Sequence, residues 1–251
     1  MRLTTKHIGE KDDQAVYEYT IQNNNGLQFS CINLGCIITE ILTPDRDGNL
    51  ENIVLSFETI EEYESCPHFI GAIIGRNAGR IAEGEILINE QIIQLPCYEN
   101  DHQLHSGYDG FHYKVWQSSY KEEKEQVTLL FTYTSKDGES GFPGTMEAAI
   151  AYTFNNENEL IIEYHAIANH QTICNMTNHS YFNLSGNLKR TIENHTLEID
   201  SNQFLKLNHE LIPNGELINV EGTTFDFRQE RKVKEGFHAN NHQNKIANKG
   251  Y

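Results

Sequence analysis

The sequence predicts an all-β fold, a large antiparallel β-sandwich. Three observations carry that expectation. Apolar residues gather in runs of strand length, some alternating with polar residues and some continuous. Gly- and Asn-rich turns separate these runs at short intervals. Helix signals are few. The 251 residues suit one such unit, because sandwiches and barrels of this size are common as single domains. A chain this long can bury most of the surface that its unfolded form exposes. With no internal repeat and no low-complexity linker, residues 1–251 read as a single sandwich domain.

The elements follow in order. Residues 31–42, CINLGCIITEIL, are strand-like, with Gly35 as a break or bulge. Residues 56–66, SFETIEEYESC, form the best helix candidate, with Ser56 or Thr59 as its cap. GEILINEQIIQL (84–95) carries two apolar runs around Asn89-Glu90 and predicts a hairpin. QVTLLFTY (126–133), TMEAAIAYTF (145–154) and ELIIEYHAIA (159–168) are strands by pattern. The polar stretch 155–158 makes a turn, so the last two should pair antiparallel. HTLEID (195–200) and the run around Phe204 and Leu205 are shorter strand candidates. Beyond Phe227 the chain turns polar and reads as loop.

Charge narrows the partners. Thirty-six acidic against nineteen basic residues give a net charge of −17. Nucleic acid and anionic lipid both need a basic footprint, so neither is expected to bind. The nearest basic cluster is Arg228, Arg231, Lys232 and Lys234. A neutral small molecule is the easiest ligand to accommodate. Five cysteines, at 31, 36, 66, 97 and 174, are odd in number and form no Cys-x-x-Cys pair. They read as reduced thiols of a cytoplasmic protein. The first residues carry no apolar segment of signal-peptide type. No run of eighteen apolar residues occurs, so no membrane-spanning helix is expected.

Phosphate and nucleophile motifs do not appear. GAIIGRNAG (71–79) has neither P-loop nor dinucleotide spacing. Twelve histidines raise the question of a metal, but the pairs His102/His105 and His238/His242 lack an adjacent acidic partner, so no metal is expected. Three clusters stand out. GRNAGRI (75–81) sets Arg76 and Arg80 among small residues, and arginine suits either hydroxyl or carboxylate recognition or the tying together of buried loops. NDHQLHSGYDGFHYKVW (100–116) mixes histidines, glycines and aromatics, as a sugar site or a packed aromatic loop would. NMTNHSYFNLSG (175–186) places His179 between Asn178 and Ser180, where neighbours could fix its tautomer for acid–base work or simply satisfy a structural imidazole.

Five segments in this order resemble the aldose 1-epimerase (galactose mutarotase) family: residues 74–95, then LHSGYDGFHYKVW (104–116), DGESGFPG (137–144), NMTNHSYFNLSG (175–186) and TTFDFR (223–228). The resemblance runs from about residue 30 to the end. It implies the mutarotase-type supersandwich and a reaction that interconverts the α and β anomers of a free aldohexose such as galactose or glucose. It implies no cofactor, and leaves monomer or dimer open. Carried over position by position, His179 is the expected general acid towards the ring oxygen and His105 assists. Gly79, Arg80, His105, His179, Ser180 and Tyr181 are the expected sugar contacts. Gly79 and Ser106 depart from the family's usual Asn and Gly.

The resemblance also implies a glutamate as general base, and no acidic residue of this chain sits in a matching motif. A sugar-binding Asp normally follows a Lys-Gly-Tyr segment, which here is Lys249-Gly250-Tyr251. The expectation is therefore a sandwich that lacks its C-terminal strands, and a 251-residue chain that is poorly stable and nearly inactive. Three alternatives remain: a hexose-6-phosphate 1-epimerase, a non-catalytic carbohydrate-binding protein, and an acidic structural sandwich without a sugar site.

Overall fold

The computed structural model describes residues 1–237 and 241–246. His238 and the Lys249-Gly250-Tyr251 segment lie outside the described residues. The chain divides into two compact units, residues 1–187 and 188–251.

The first unit is the sandwich. One sheet is a five-stranded meander of β1 (Arg2–Lys11), β2 (Gln14–Gln22), β3 (Gln28–Ile32), β4 (Ile38–Pro44) and β5 (Leu50–Asn52), all antiparallel. The 31–42 segment is thus two strands. The break at Gly35 has widened into a loop, with Gly35 at φ +58° and Cys36 at φ +47°. A short helix follows, α1 (Ile60–Ser65). Of the two cap candidates it uses Thr59, whose side chain accepts from Glu62 N while Glu62 bonds back to Thr59 N. This reciprocal box satisfies two of the helix's orphan donors.

Two very short strands, β6 (Ile73–Ile74) and β7 (Arg80–Ile81), bracket the Gly-Arg-rich segment. The predicted hairpin is β8 (Glu85–Ile88) and β9 (Gln91–Gln94), in register from Glu85↔Gln94 to Ile88↔Gln91. Asn89 and Glu90 both take positive φ, as a two-residue turn matched to strand twist requires. Next come β10 (Gln103–Leu104) and the second large sheet, β11 (Gln117–Glu122), β12 (Gln126–Ser135), β13 (Met146–Asn155) and β14 (Leu160–Ala168). β13 and β14 pair antiparallel as expected.

The two large sheets meet face to face. Val127, Leu129 and Phe131 of β12 and Ala148, Ile150, Tyr152 and Phe154 of β13 point into one cluster with Tyr19, Ile21, Phe29 and Cys31. Phe29 meets Tyr152 edge-on at 5.5 Å, and Tyr19 meets Phe131 at 5.8 Å. The only polar atom of Tyr152 donates to Cys36 O at 2.6 Å, so the aromatic core is buried without an unpaired hydroxyl. Trp116, fully buried, donates its indole N–H to Phe111 O. This core anchors the 111–116 end of the aromatic loop.

The second unit, taken alone, holds β16 (Thr196–Leu197) paired with β19 (Arg231–Lys232), and a hairpin of β17 (Gln203–Leu207) with β18 (Pro213–Asn219). The tail beyond Phe227 is more ordered than its polarity predicts. It contains β19 and two short helices, α2 (Lys234–Phe237) and α3 (His242–Ile246). Polar side chains do the packing there. Buried Gln243 bonds both Leu207 N and Leu207 O, and buried Asn244 bonds Gly236 O and Thr224 Oγ1. Hydrophobicity patterns do not register such contacts.

Candidate active site

Residues 69–81 organise the site. β6 pairs antiparallel with β15 (Thr177–Asn178), which places His179 at the end of that pair. His179 N donates to Ala72 O, and Gly71 N donates to His179 O. At the other end of the segment β7 pairs with β10, opposing Leu104 to Arg80 and delivering His105. Gly79 N donates to His105 Nδ1 at 3.1 Å, and His105 N donates back to Gly79 O at 3.1 Å. Two distant histidines are thereby held by one short stretch of chain.

Their rings come together. The imidazoles of His105 and His179 lie 5.3 Å apart, at 89° to each other. Phe69, in a left-handed backbone conformation at φ +55°, touches both, at 4.8 Å from His105 and 5.9 Å from His179. A third imidazole, buried His112, also meets Phe69, at 4.8 Å and 88°. Tyr181, half-exposed, leans on His179 at 5.2 Å.

Burial lowers the basicity of all three histidines. His105 falls to about 4, through burial first and then through the charges of His179 and Arg80, with Glu99 opposing. His112 falls to about 3 for the same leading reason, with His105, His179 and Lys114 adding to it. His179 is lowered by burial. The bond from Gly79 N occupies Nδ1 of His105, so its neutral ring carries the proton on Nε2. That nitrogen is a fixed hydrogen-bond donor.

The two arginines of GRNAGR have opposite fates. Arg76 is 1% exposed and spends its donors on the fold: Nε to Ser135 Oγ, Nη2 to Ser135 O and Lys136 O, Nη1 to Pro143 O. The DGESGFPG segment (137–144) contributes Pro143 O to this socket and braces the rest of it, with Glu139 accepting from Ser135 Oγ and Tyr133 Oη. Arg80 is half-buried and grips Glu99 with two parallel bonds, Nε to Oε2 at 2.7 Å and Nη2 to Oε1 at 3.0 Å.

The expected site residues thus gather in one region. Gly79, Arg80 and His105 form one side, and His179 and Tyr181 the other. Ser180 follows His179, with its N–H held by Asn178 Oδ1 and its buried hydroxyl unpartnered among the described residues. Phe69, Glu99 and His112 were not anticipated. For Phe69 no sequence signal exists, since its role depends on a positive φ. His112 stood in the aromatic loop already singled out. Glu99 was invisible without the fold. Of the metal-spaced histidines, His102 turns its Nδ1 to Glu83 N. Among the described residues no group of three or more His, Cys, Asp or Glu is placed to hold a metal. No helix among them is long and apolar enough to cross a membrane.

Chemically, the arrangement offers two imidazoles in edge-on contact, an aromatic ring against both and a guanidinium held by Glu99. That set can exchange a proton with an oxygen atom and hold hydroxyl groups around it.

Comparison with known proteins agrees with this chemistry. The aldose 1-epimerase family model matches residues 17–250. The chain is 36% identical over 242 residues to the aldose 1-epimerase of Streptococcus thermophilus, covering 96% of this chain and 69% of that protein. It is 35% identical over 227 residues to the galactose mutarotase of Homo sapiens, covering 89% and 65%. Among solved structures, a galactose 1-epimerase from Lactobacillus acidophilus superposes with a TM-score of 0.90 at 28% identity, covering 98% of this chain and 71% of that one. The chain therefore spans about two thirds of the length of the relatives it matches.

Proposed function

The chain belongs to the aldose 1-epimerase family, and on that premise we propose that it interconverts the α and β anomers of a free aldohexose by opening and reclosing the sugar ring. One observation carries the reading: the perpendicular His105 and His179 imidazoles, 5.3 Å apart around Phe69.

In the proposed reaction protonated His179 gives its proton to the ring oxygen O5. The O1 hydroxyl loses its proton to a base, the C1–O5 bond breaks and O1 becomes the aldehyde oxygen. Rotation about C1–C2 and closure on the other face, with the protons returned, yield the other anomer. His105 donates from Nε2 to a sugar oxygen, its orientation set by Gly79. Arg80, Ser180 and Tyr181 line the sugar. The lowered basicity of His179 makes its protonated form a stronger acid but a scarcer one at neutral pH. The rate should therefore fall as pH rises through that lowered value.

The net charge of −17 favours a neutral sugar over a sugar phosphate. The free cysteines accord with a reducing compartment, and we place the protein in the cytoplasm. The O1 proton is assigned to no carboxylate of this chain, because none sits in the family's base motif. A small carboxylate such as formate would then serve as the external base.

The test is a titration with D-galactose followed by the imidazole C–H signals of His105 and His179 in NMR, together with polarimetry of fresh α-D-galactose with and without formate. Joint movement of both signals, with mutarotation above the buffer rate that formate enhances, supports the proposal. The absence of any shift in either histidine at high sugar concentration sinks it. His179→Gln should lower the protein-dependent rate by roughly 10²-fold or more.

A further inference from the structure

Glu99 belongs to no part of the reaction just described, yet it holds the residue assigned to the sugar. Its contact with Arg80 is side-on, through Nε–H and one N–H of Nη2. A guanidinium has five N–H donors, so three remain: the second N–H of Nη2 and the two of Nη1. Arg80 makes no other side-chain hydrogen bond among the described residues. The free edge is the end-on fork, two parallel donors at a spacing that fits two neighbouring oxygens.

Both partners have fixed backbones. Arg80 lies in β7, opposite Leu104. Glu99 begins a tight turn: its N–H donates to His102 O, and His102 N donates to Glu99 O. Asn100 and Asp101, the middle of that turn, both have positive φ. The guanidinium can therefore neither swing nor translate freely. Held this way, the pair also carries no net charge.

We propose that Glu99 is a positioning residue: it presents the end-on edge of Arg80 to two adjacent hydroxyl oxygens of a neutral sugar and, by cancelling the guanidinium charge, biases the site against anionic sugars such as hexuronates and hexose phosphates. The assignment rests on the sugar-site reading above. His105 senses the same pair, because Arg80 lowers its basicity and Glu99 raises it. The other groups facing His105 are the imidazoles of His179 and His112 and the ring of Phe69. An unpaired Arg80 would leave His105 beside an uncompensated positive charge.

The test compares wild type with Glu99→Gln, which keeps the size of the side chain and removes its charge. D-Galactose, D-galacturonate and D-galactose 6-phosphate are titrated by calorimetry, and the His105 midpoint is measured by NMR without sugar. Galactose affinity should fall roughly 10-fold in the variant, the scale of one charge-assisted hydrogen bond. Affinity for the two anionic sugars should hold or rise, so the preference for the neutral sugar shrinks. The His105 midpoint should drop below its wild-type value. Glu99→Asp, which restores the charge, should recover that midpoint and most of the preference for the neutral sugar.

Equal weakening of all three ligands would mean a merely structural role and overturn the proposal, as would an unchanged His105 midpoint. Wild-type protein that binds none of the three sugars overturns the sugar-site reading and this assignment with it. The midpoint comparison then still reports whether the Arg80–Glu99 pair forms, so the two failures stay distinct.

Discussion

The segment GRNAGR contains the dipeptide Gly-Arg twice, and the two copies do opposite work. Gly75-Arg76 is closed. A Cβ at Gly75 would overlap the Phe111 ring, and Arg76 is buried with its donors on backbone carbonyls and Ser135. Gly79-Arg80 is open. Nothing lies within 4 Å of a Cβ at Gly79, and Arg80 meets a half-exposed carboxylate with one edge left over. The difference teaches where to look for function in an arginine-rich turn. An arginine whose donors end on carbonyls is a structural tie, whereas one held side-on by a carboxylate keeps donors for a ligand.

The comparison breaks most visibly at Arg76. Arg76→Ala removes four hydrogen bonds, to Ser135 Oγ, Ser135 O, Lys136 O and Pro143 O, and empties a buried socket, and should cost about 3–5 kcal/mol. Arg80→Ala removes a partly exposed ion pair and should cost about 1 kcal/mol or less. Urea unfolding of the two variants measures the contrast. Equal losses would erase the distinction between the two dipeptides.

Acid titration sharpens it next, because the open dipeptide shares its region with the buried histidines. The folded basicities of His112 and His105, about 3 and about 4, lie below the ordinary 6.5. Between those values the unfolded chain binds more protons than the folded one, so stability is full above about pH 6.5 and drains as pH falls towards 3. His112 alone should account for on the order of 3 kcal/mol of that loss. Stability measured against pH should therefore fall less steeply in His112→Phe than in wild type. Identical slopes would show that His112 charges freely in the folded protein.

How much of this was legible in the sequence depends on the range over which each signal acts. The 84–95 hairpin and the 126–168 strands were readable, because alternation and turn residues are local and each inward face is apolar. The N-terminal hairpin of β1 and β2 was not. β1 is exposed along most of its length, so nothing forces a period of two on it. Arg76 and Arg80 could not be told apart, since the sockets that separate them come from residues 135–143 and from Glu99. His105 and His179 were legible as motifs, but their meeting depends on β7–β10 and β6–β15, pairs only two residues long that no periodicity could reveal. Phe69, which packs against both imidazoles, left no mark at all.

Glycine substitutions give two finer tests. At Gly75 the added methyl collides with Phe111, a core ring that packs edge-on against Trp116 and cannot yield cheaply. Gly75→Ala should cost about 1–3 kcal/mol, as overpacking in a dense core does.

At Gly79 the methyl meets open space and the only penalty is the backbone, held at φ +88°. Gly79→Ala should therefore cost about 1 kcal/mol of stability. Its more telling effect is local. Gly79 N sets the tautomer of His105, so relaxation of the strained backbone would pull that N–H away from Nδ1. The galactose-dependent shift of the His105 signal should then shrink, while that of His179, anchored independently on Ala72 and Gly71, stays as in wild type. If both histidine shifts shrink together, the two sides of the site are not separately built. If neither changes, the bond from Gly79 does not orient His105.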